Sequence, residues 1–199
     1  MKKKEKKKSL EGFRIILFVF GIIMMIVLAF LLVKDSSRTK LFDDVPESHW
    51  SYAYVENLVN AGIIVVPDNK MFYGEQNITR ADMAQWTANL LLKLSPNSTA
   101  DAKRITDEAA SDGGKAIDRY EIAVMVADVY QKLHKGDLPA ATKNFKDVPA
   151  DHWASESVNL LTAEDFMEGY SNGTFRGERN MTRYEAAGLI GKVYRRLSA

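Results

Sequence analysis

The sequence contains no cysteine and only three histidines. Without cysteine there is no disulfide, no lipid attached through a thiol and no thiolate nucleophile. An outer domain built without disulfides fits a bacterial surface better than an animal one. No spacing of His, Asp or Glu matches a metal site, so no metal and no cofactor is expected. No nucleophile stands beside a base in a recognisable motif, and the chain reads as a non-enzyme. A basic field is also lacking beyond Lys34. Residues 35–199 carry 19 Lys and Arg against 24 Asp and Glu, a net charge of −5. That balance excludes nucleic acid as a partner.

One stretch lacks charge altogether. Ile15 to Val33 holds no charged residue and is bounded by Arg14 and Lys34. At about 1.5 Å per residue it would make roughly 28 Å of helix, near the hydrocarbon thickness of a bilayer. Six lysines lie between Lys2 and Lys8. The positive-inside rule then keeps residues 1–14 in the cytoplasm and sends the rest outside. No small-x-small cleavage site follows Ala29, so the segment reads as an uncleaved signal-anchor rather than a signal peptide. The expectation is a single-pass protein of the cell membrane, with residues 15–33 as its transmembrane helix and 34–41 as a linker.

What the chain does contain is repetition. Ile78-Thr79-Arg80-Ala81-Asp82 returns as Met181-Thr182-Arg183-Tyr184-Glu185, with Ile117-Asp118-Arg119-Tyr120-Glu121 between them. The outer copies extend further. Phe42-Asp43-Asp44-Val45-Pro46 aligns with Phe145-Lys146-Asp147-Val148-Pro149 at a constant offset of 103 residues, which also relates Arg80 to Arg183. About a third of the aligned positions are identical, which marks a repeat. The middle copy has lost or compressed its first half. Residues 95–114 then supply a linker and a short helix near Ala100 to Ala110.

Each pentad reads as a helix start. Thr182 and Asp118 are N-caps, with Glu185 and Glu121 completing capping boxes; Thr79 with Asp82 is the weaker version. Apolar residues follow at helical period, as in Ala187, Ile190, Tyr194 and Leu197. Asp44-Val45-Pro46 and Asp147-Val148-Pro149 are turns feeding an earlier helix. The chain is therefore expected to be all-α: repeat 1 over 42–94, a degenerate repeat 2 over 95–134, a linker over 135–144 and repeat 3 over 145–199. Asn77, Asn97, Asn172 and Asn180 open Asn-x-Ser/Thr triplets and read as turn residues.

These residues resemble the S-layer homology domain family. Phe145, Asp147, Val148, Trp153, Gly169, Tyr170, Gly173, Phe175, Thr182, Arg183 and Glu185 fill its Phe-x-Asp-Val, Trp, Gly-Tyr-x-x-Gly-x-Phe and Thr-Arg-Ala-Glu pattern. The third unit matches strongly, the first well, and the middle one only from Asp118 onward. The resemblance implies a pseudo-threefold helical module around a central three-helix bundle. It implies binding of a cell-wall polymer, often a pyruvylated secondary polysaccharide and sometimes peptidoglycan, in grooves between units. The motif Arg would hold the acidic sugar. Val66 and Pro67 replace Gly169 and Tyr170 in the first unit, so a groove there would be altered.

Arg80, Arg119 and Arg183 are the leading ligand candidates. Each falls at the first helical position, where the helix dipole disfavours a cation and a bound anion would compensate. An internal pair with Asp44 or Asp147 would compensate too. Trp50 and Trp153 fall at core register, with sugar stacking as the alternative. Tyr170 lies in a loop and is open to a sugar, with Gly169 beside it for close approach. His49 and His152 suit capping or packing, and His134 reads as exposed. The favoured role is a membrane-anchored tether to an anionic wall polymer, chiefly through Arg183. A second reading is an envelope assembly subunit with a protein partner, having lost carbohydrate binding.

Overall fold

The structure is a computed structural model that describes residues 17–29, 40–140 and 143–199. It divides into two units, at Lys40. In the first unit, residues 17–29 are helical and exposed. Among the described residues no helix is long and apolar enough to cross a membrane. The transmembrane helix expected over 15–33, and the single-pass anchoring built on it, are therefore not supported. Residues 15, 16 and 30–33 of that span lie outside the described residues, as do the basic tail and most of the 34–41 linker.

Among its described residues the second unit holds six helices: α1 (Tyr52–Asn60), α2 (Arg80–Leu94), α3 (Thr99–Ala109), α4 (Arg119–Leu133), α5 (Ser155–Ala163) and α6 (Arg183–Ser198). The three pentads open α2, α4 and α6. Thr182 and Asp118 each accept the N3 backbone N–H, and Glu185 and Glu121 reach back to the cap N–H, forming two complete capping boxes. Thr79 accepts from the Asp82 N–H, and no return bond from Asp82 closes a box there. The shorter Asp side chain explains the difference. The middle unit's first helix, α3, falls within one residue of its expected span, and the Asp112-Gly113-Gly114 turn replaces the long loop of the outer units.

Helices α2, α4 and α6 pack on one another as the central bundle. Their lead-in segments are knitted by isolated antiparallel bridges, Asn77 to Thr182, Thr79 to Ala116 and Asp118 to Asn180. Ile78, Ile117 and Met181 are all buried where these segments meet. Burying such a side chain stabilises by about 1.5–3 kcal/mol.

The peripheral helices are exchanged. Helix α3 packs on α2, α5 packs on α4, and α1 packs on α6, so each lies against the core helix of the preceding unit and α1 closes the ring. Among the described residues the two helices of one unit make no close backbone packing; in the middle unit α3 and α4 meet through the Arg104–Asp128 and Lys132–Asp101 ion pairs. Asp44 and Asp147 hold the intervening loops. Asp44 accepts the N–H groups of Phe72 and Tyr73 at 2.7 and 2.6 Å, and Asp147 those of Phe175 and Arg176 at 2.8 and 2.7 Å. Tyr73 and Arg176 sit at φ of +55° and +53°, left-handed conformations that these carboxylates help to fix.

Candidate functional site at the inter-unit grooves

The exchange brings the N-terminus of each core helix against the neighbouring unit. Tyr184 donates its hydroxyl to the Asp44 carbonyl and Tyr120 donates to that of Asp147. Tyr184 also packs on His49 at 4.1 Å between ring centroids, and Tyr120 on His152 at 4.3 Å. The two histidines thus have packing roles.

The motif arginines occupy equivalent places with different partners. Arg183 donates from Nε to the Phe72 carbonyl at 2.7 Å, pairs with Asp82, and lies over the Phe72 and Trp86 rings. Arg80 pairs with Glu121, and its Nε lies 3.0 Å from Asp112 Oδ1 without hydrogen-bond alignment. Arg119 donates from Nε to the Phe175 carbonyl at 3.1 Å and from Nη2 to the Glu168 carbonyl at 2.7 Å. Its guanidinium lies over the Phe175 ring at 4.4 Å and near Tyr170 at 5.8 Å. Among the described residues no carboxylate pairs with Arg119. The internal partners expected for these arginines, Asp44 and Asp147, are instead engaged with loop backbone.

The difference has a structural cause. Arg183 and Arg80 each take the N3 carboxylate of a neighbouring core helix, Asp82 or Glu121. The counterpart for Arg119 is Glu185. That carboxylate is held in a two-pronged bond by Arg179, at 2.7 and 3.1 Å. Burial raises the Glu185 pKa, but Arg179 and the Thr182 N–H outweigh it and hold the group below its ordinary value. Arg119 is 7% exposed, and burial pushes its pKa down. A guanidinium stays charged through such shifts. Arg119 is therefore a buried cation with no carboxylate in direct contact among the described residues, while Glu185 and Asp147 act on it from a greater distance. The positions equivalent to Arg179 are Gln76 and Lys115. An Arg four residues before the motif Arg was the signal that sequence reading passed over.

Arg119 lines a cleft of about 420 Å³ with Trp50, Glu185, Gly188 and Lys192. Trp50 is 57% exposed and Trp153 63%. Both lie in the turn before a helix, so core register does not apply to them, and the core placement expected for both is corrected. The cleft at Trp153, about 390 Å³, is lined by Arg80 together with Glu108, Glu121 and Asp128. Arg183 borders a cleft of about 300 Å³ or less, 280 Å³, with Pro67, Tyr73 and Asp82 and no tryptophan. Tyr170 is not beside Arg183; it lies near Arg119 and over the Arg176 guanidinium at 4.0 Å. Gly169 has a packing reason, since a Cβ there would fall 2.1 Å from Phe145. His134 is engaged by the Tyr130 hydroxyl at 3.0 Å. Among the described residues no group of three metal-ligating side chains comes together.

This is a ring of exchanged helical repeats with aromatic-and-arginine grooves at its seams. The sequence model of the S-layer homology domain family matches residues 41–84 and 144–187, and each of these stretches is a domain of that family. The outer membrane protein SlpA of Thermus thermophilus is 49% identical over 53 residues, covering 27% of this chain and 6% of that protein. An S-layer protein of Bacillus thuringiensis subsp. finitimus is 28% identical over 175 residues, covering 77% and 21%. An endoglucanase of a Bacillus species is 24% identical over 214 residues, covering 96% and 22%. The chain thus spans at most 22% of the length of these three relatives.

Proposed function

We propose that the module is a non-catalytic binder of an anionic cell-wall polymer, and that the Arg119 cleft is its working groove. The observation carrying this reading is that Arg119 is buried with no carboxylate in direct contact, while Arg80 lies against Glu121 and Asp112 and Arg183 against Asp82. A carboxylate or phosphate on a saccharide supplies the missing counter-charge, and a guanidinium accepts it through two parallel hydrogen bonds. The Nη1 group of Arg119 has no protein acceptor among the described residues and is free for this. Trp50 offers an exposed face on which a sugar ring stacks.

The Trp153 groove is matched less well to an anion. Its arginines are already neutralised, Arg80 by Glu121 and Arg104 by Glu108 and Asp128. The test is retention of the purified chain on bacterial sacculi before and after their secondary polymer is removed. Retention that vanishes with the polymer supports the reading. Retention unchanged by removal assigns binding to peptidoglycan itself. No retention with either, together with a cross-linked envelope protein, favours the assembly-subunit reading.

A further inference from the structure

A second groove continues from the Arg119 cleft. It is about 830 Å³, runs between α1 and α6, and shares Trp50 and Tyr54 with that cleft as common walls. Two glycines on α6 make the shared wall flat. A Cβ at Gly188 would come 2.9 Å from the Trp50 ring, and one at Gly191 would come 2.5 Å from the Tyr54 ring. Both aromatic rings therefore lie directly on the α6 backbone. Beyond them the groove ends at Lys93 and Arg195, with Asn57 and Asn60 along α1. No Asp or Glu side chain lines it. Lys93 and Arg195 are exposed, and among the described residues neither has an ion-pair partner.

The corresponding seam between α4 and α5 keeps the tryptophan as Trp153 and has Arg196 at the place of Lys93, paired with Glu164, but differs elsewhere. Aligning Arg119 with Arg183, and Trp153 with Trp50, places Val124 and Ala127 at the glycine positions. The same alignment puts Ser157 at Tyr54, Leu160 at Asn57 and Gln131 at Arg195. Set against the α4–α5 seam, the two glycines, Tyr54, Asn57 and Arg195 are thus particular to the α1–α6 seam.

Resting on the reading of the Arg119 cleft as an anion site, we infer that this seam holds a polymer charged along its length. Arg119 takes one anionic unit, and Lys93 with Arg195 takes another further along the same strand. From Glu185 to Arg195 the helix rises by about 15 Å, enough for several linked units to lie across Trp50 and Tyr54. Carboxylate-bearing and phosphodiester-linked polymers share this chemistry, and the salt dependence of binding reports it.

The test compares the full chain with its K93E/R195E variant on two probes. One is a monosaccharide carrying a single pyruvate ketal; the other is sacculi bearing their anionic secondary polymer, as isolated or treated to remove phosphodiester-linked chains. Thermal melting by circular dichroism checks that the variant is folded. The expected result is monosaccharide affinity within twofold of wild type, sacculus binding weaker by tenfold or more, and a shallower salt dependence. Loss restricted to untreated sacculi assigns phosphodiesters; loss on both assigns carboxylates. Sacculus binding within twofold of wild type, with monosaccharide binding intact, overturns the extended track alone. Equal losses on both probes overturn it as well and assign the charges to a general field. A wild type that binds no monosaccharide overturns the underlying reading of the Arg119 cleft.

Discussion

At the scale of single residues, the decisive contact is one that no motif displays. Arg179 holds Glu185 in a two-pronged bond, and in the proposed reading this leaves the Arg119 guanidinium for a ligand. Arg179→Gln, which copies the Gln76 of the first unit, releases Glu185 to pair with Arg119 as Asp82 pairs with Arg183. Affinity for a pyruvylated monosaccharide should fall about tenfold, which corresponds to roughly 1.4 kcal/mol; unchanged affinity in calorimetric titration would count against this arrangement. Asp147 makes a prediction about pH. Burial opposes its ionisation, but the Phe175 and Arg176 N–H groups outweigh that and hold its pKa below the ordinary value. A lowered carboxyl stabilises the fold above its unfolded pKa of about 3.9, and that stability is lost as pH falls through the lower folded value. Urea midpoints should drop more steeply below pH 4 for wild type than for Asp147→Asn.

At the scale of elements, the helix starts were legible because a capping box is local. Its residues lie within four positions, and Thr182 with Glu185 or Asp118 with Glu121 shows the geometry directly. Thr182→Ala should destabilise the chain by about 1 kcal/mol, measured by chemical denaturation, because the Glu185 N–H, one of the orphan groups of α6, loses its partner. The short α3 was legible for a similar reason, as an interval too small for a full unit. The tryptophans were not. Helical register was extended one turn too early, into residues 49–51, and the structure leaves Trp50 and Trp153 largely exposed. The partners of the motif arginines were illegible too, since Arg183 meets a carboxylate 101 residues away.

For the whole molecule, the exchange of peripheral helices makes each unit dependent on its neighbours. The repeat was plain in the sequence, but periodicity does not say which core helix a peripheral helix covers. Because α5 lies on α4 and α1 lies on α6, a fragment of residues 144–199 leaves both of its helices without their contacts. Such a fragment should show little helical signal in circular dichroism, whereas residues 41–199 should unfold in one cooperative transition. A stably helical fragment would contradict the exchange. The same closure forms the α1–α6 seam that carries the proposed groove. There the first and third units meet, and Arg119 from the second reaches in.

The central claim is that one motif arginine of three is available to an anion. Calorimetric titration with a pyruvylated monosaccharide, comparing Arg119→Lys with Arg183→Lys, tests it most directly. Each substitution keeps the charge and removes the guanidinium fork. The account predicts at least a tenfold loss of affinity at Arg119 and no more than a twofold change at Arg183. The reverse pattern, or equal losses at both, would contradict it.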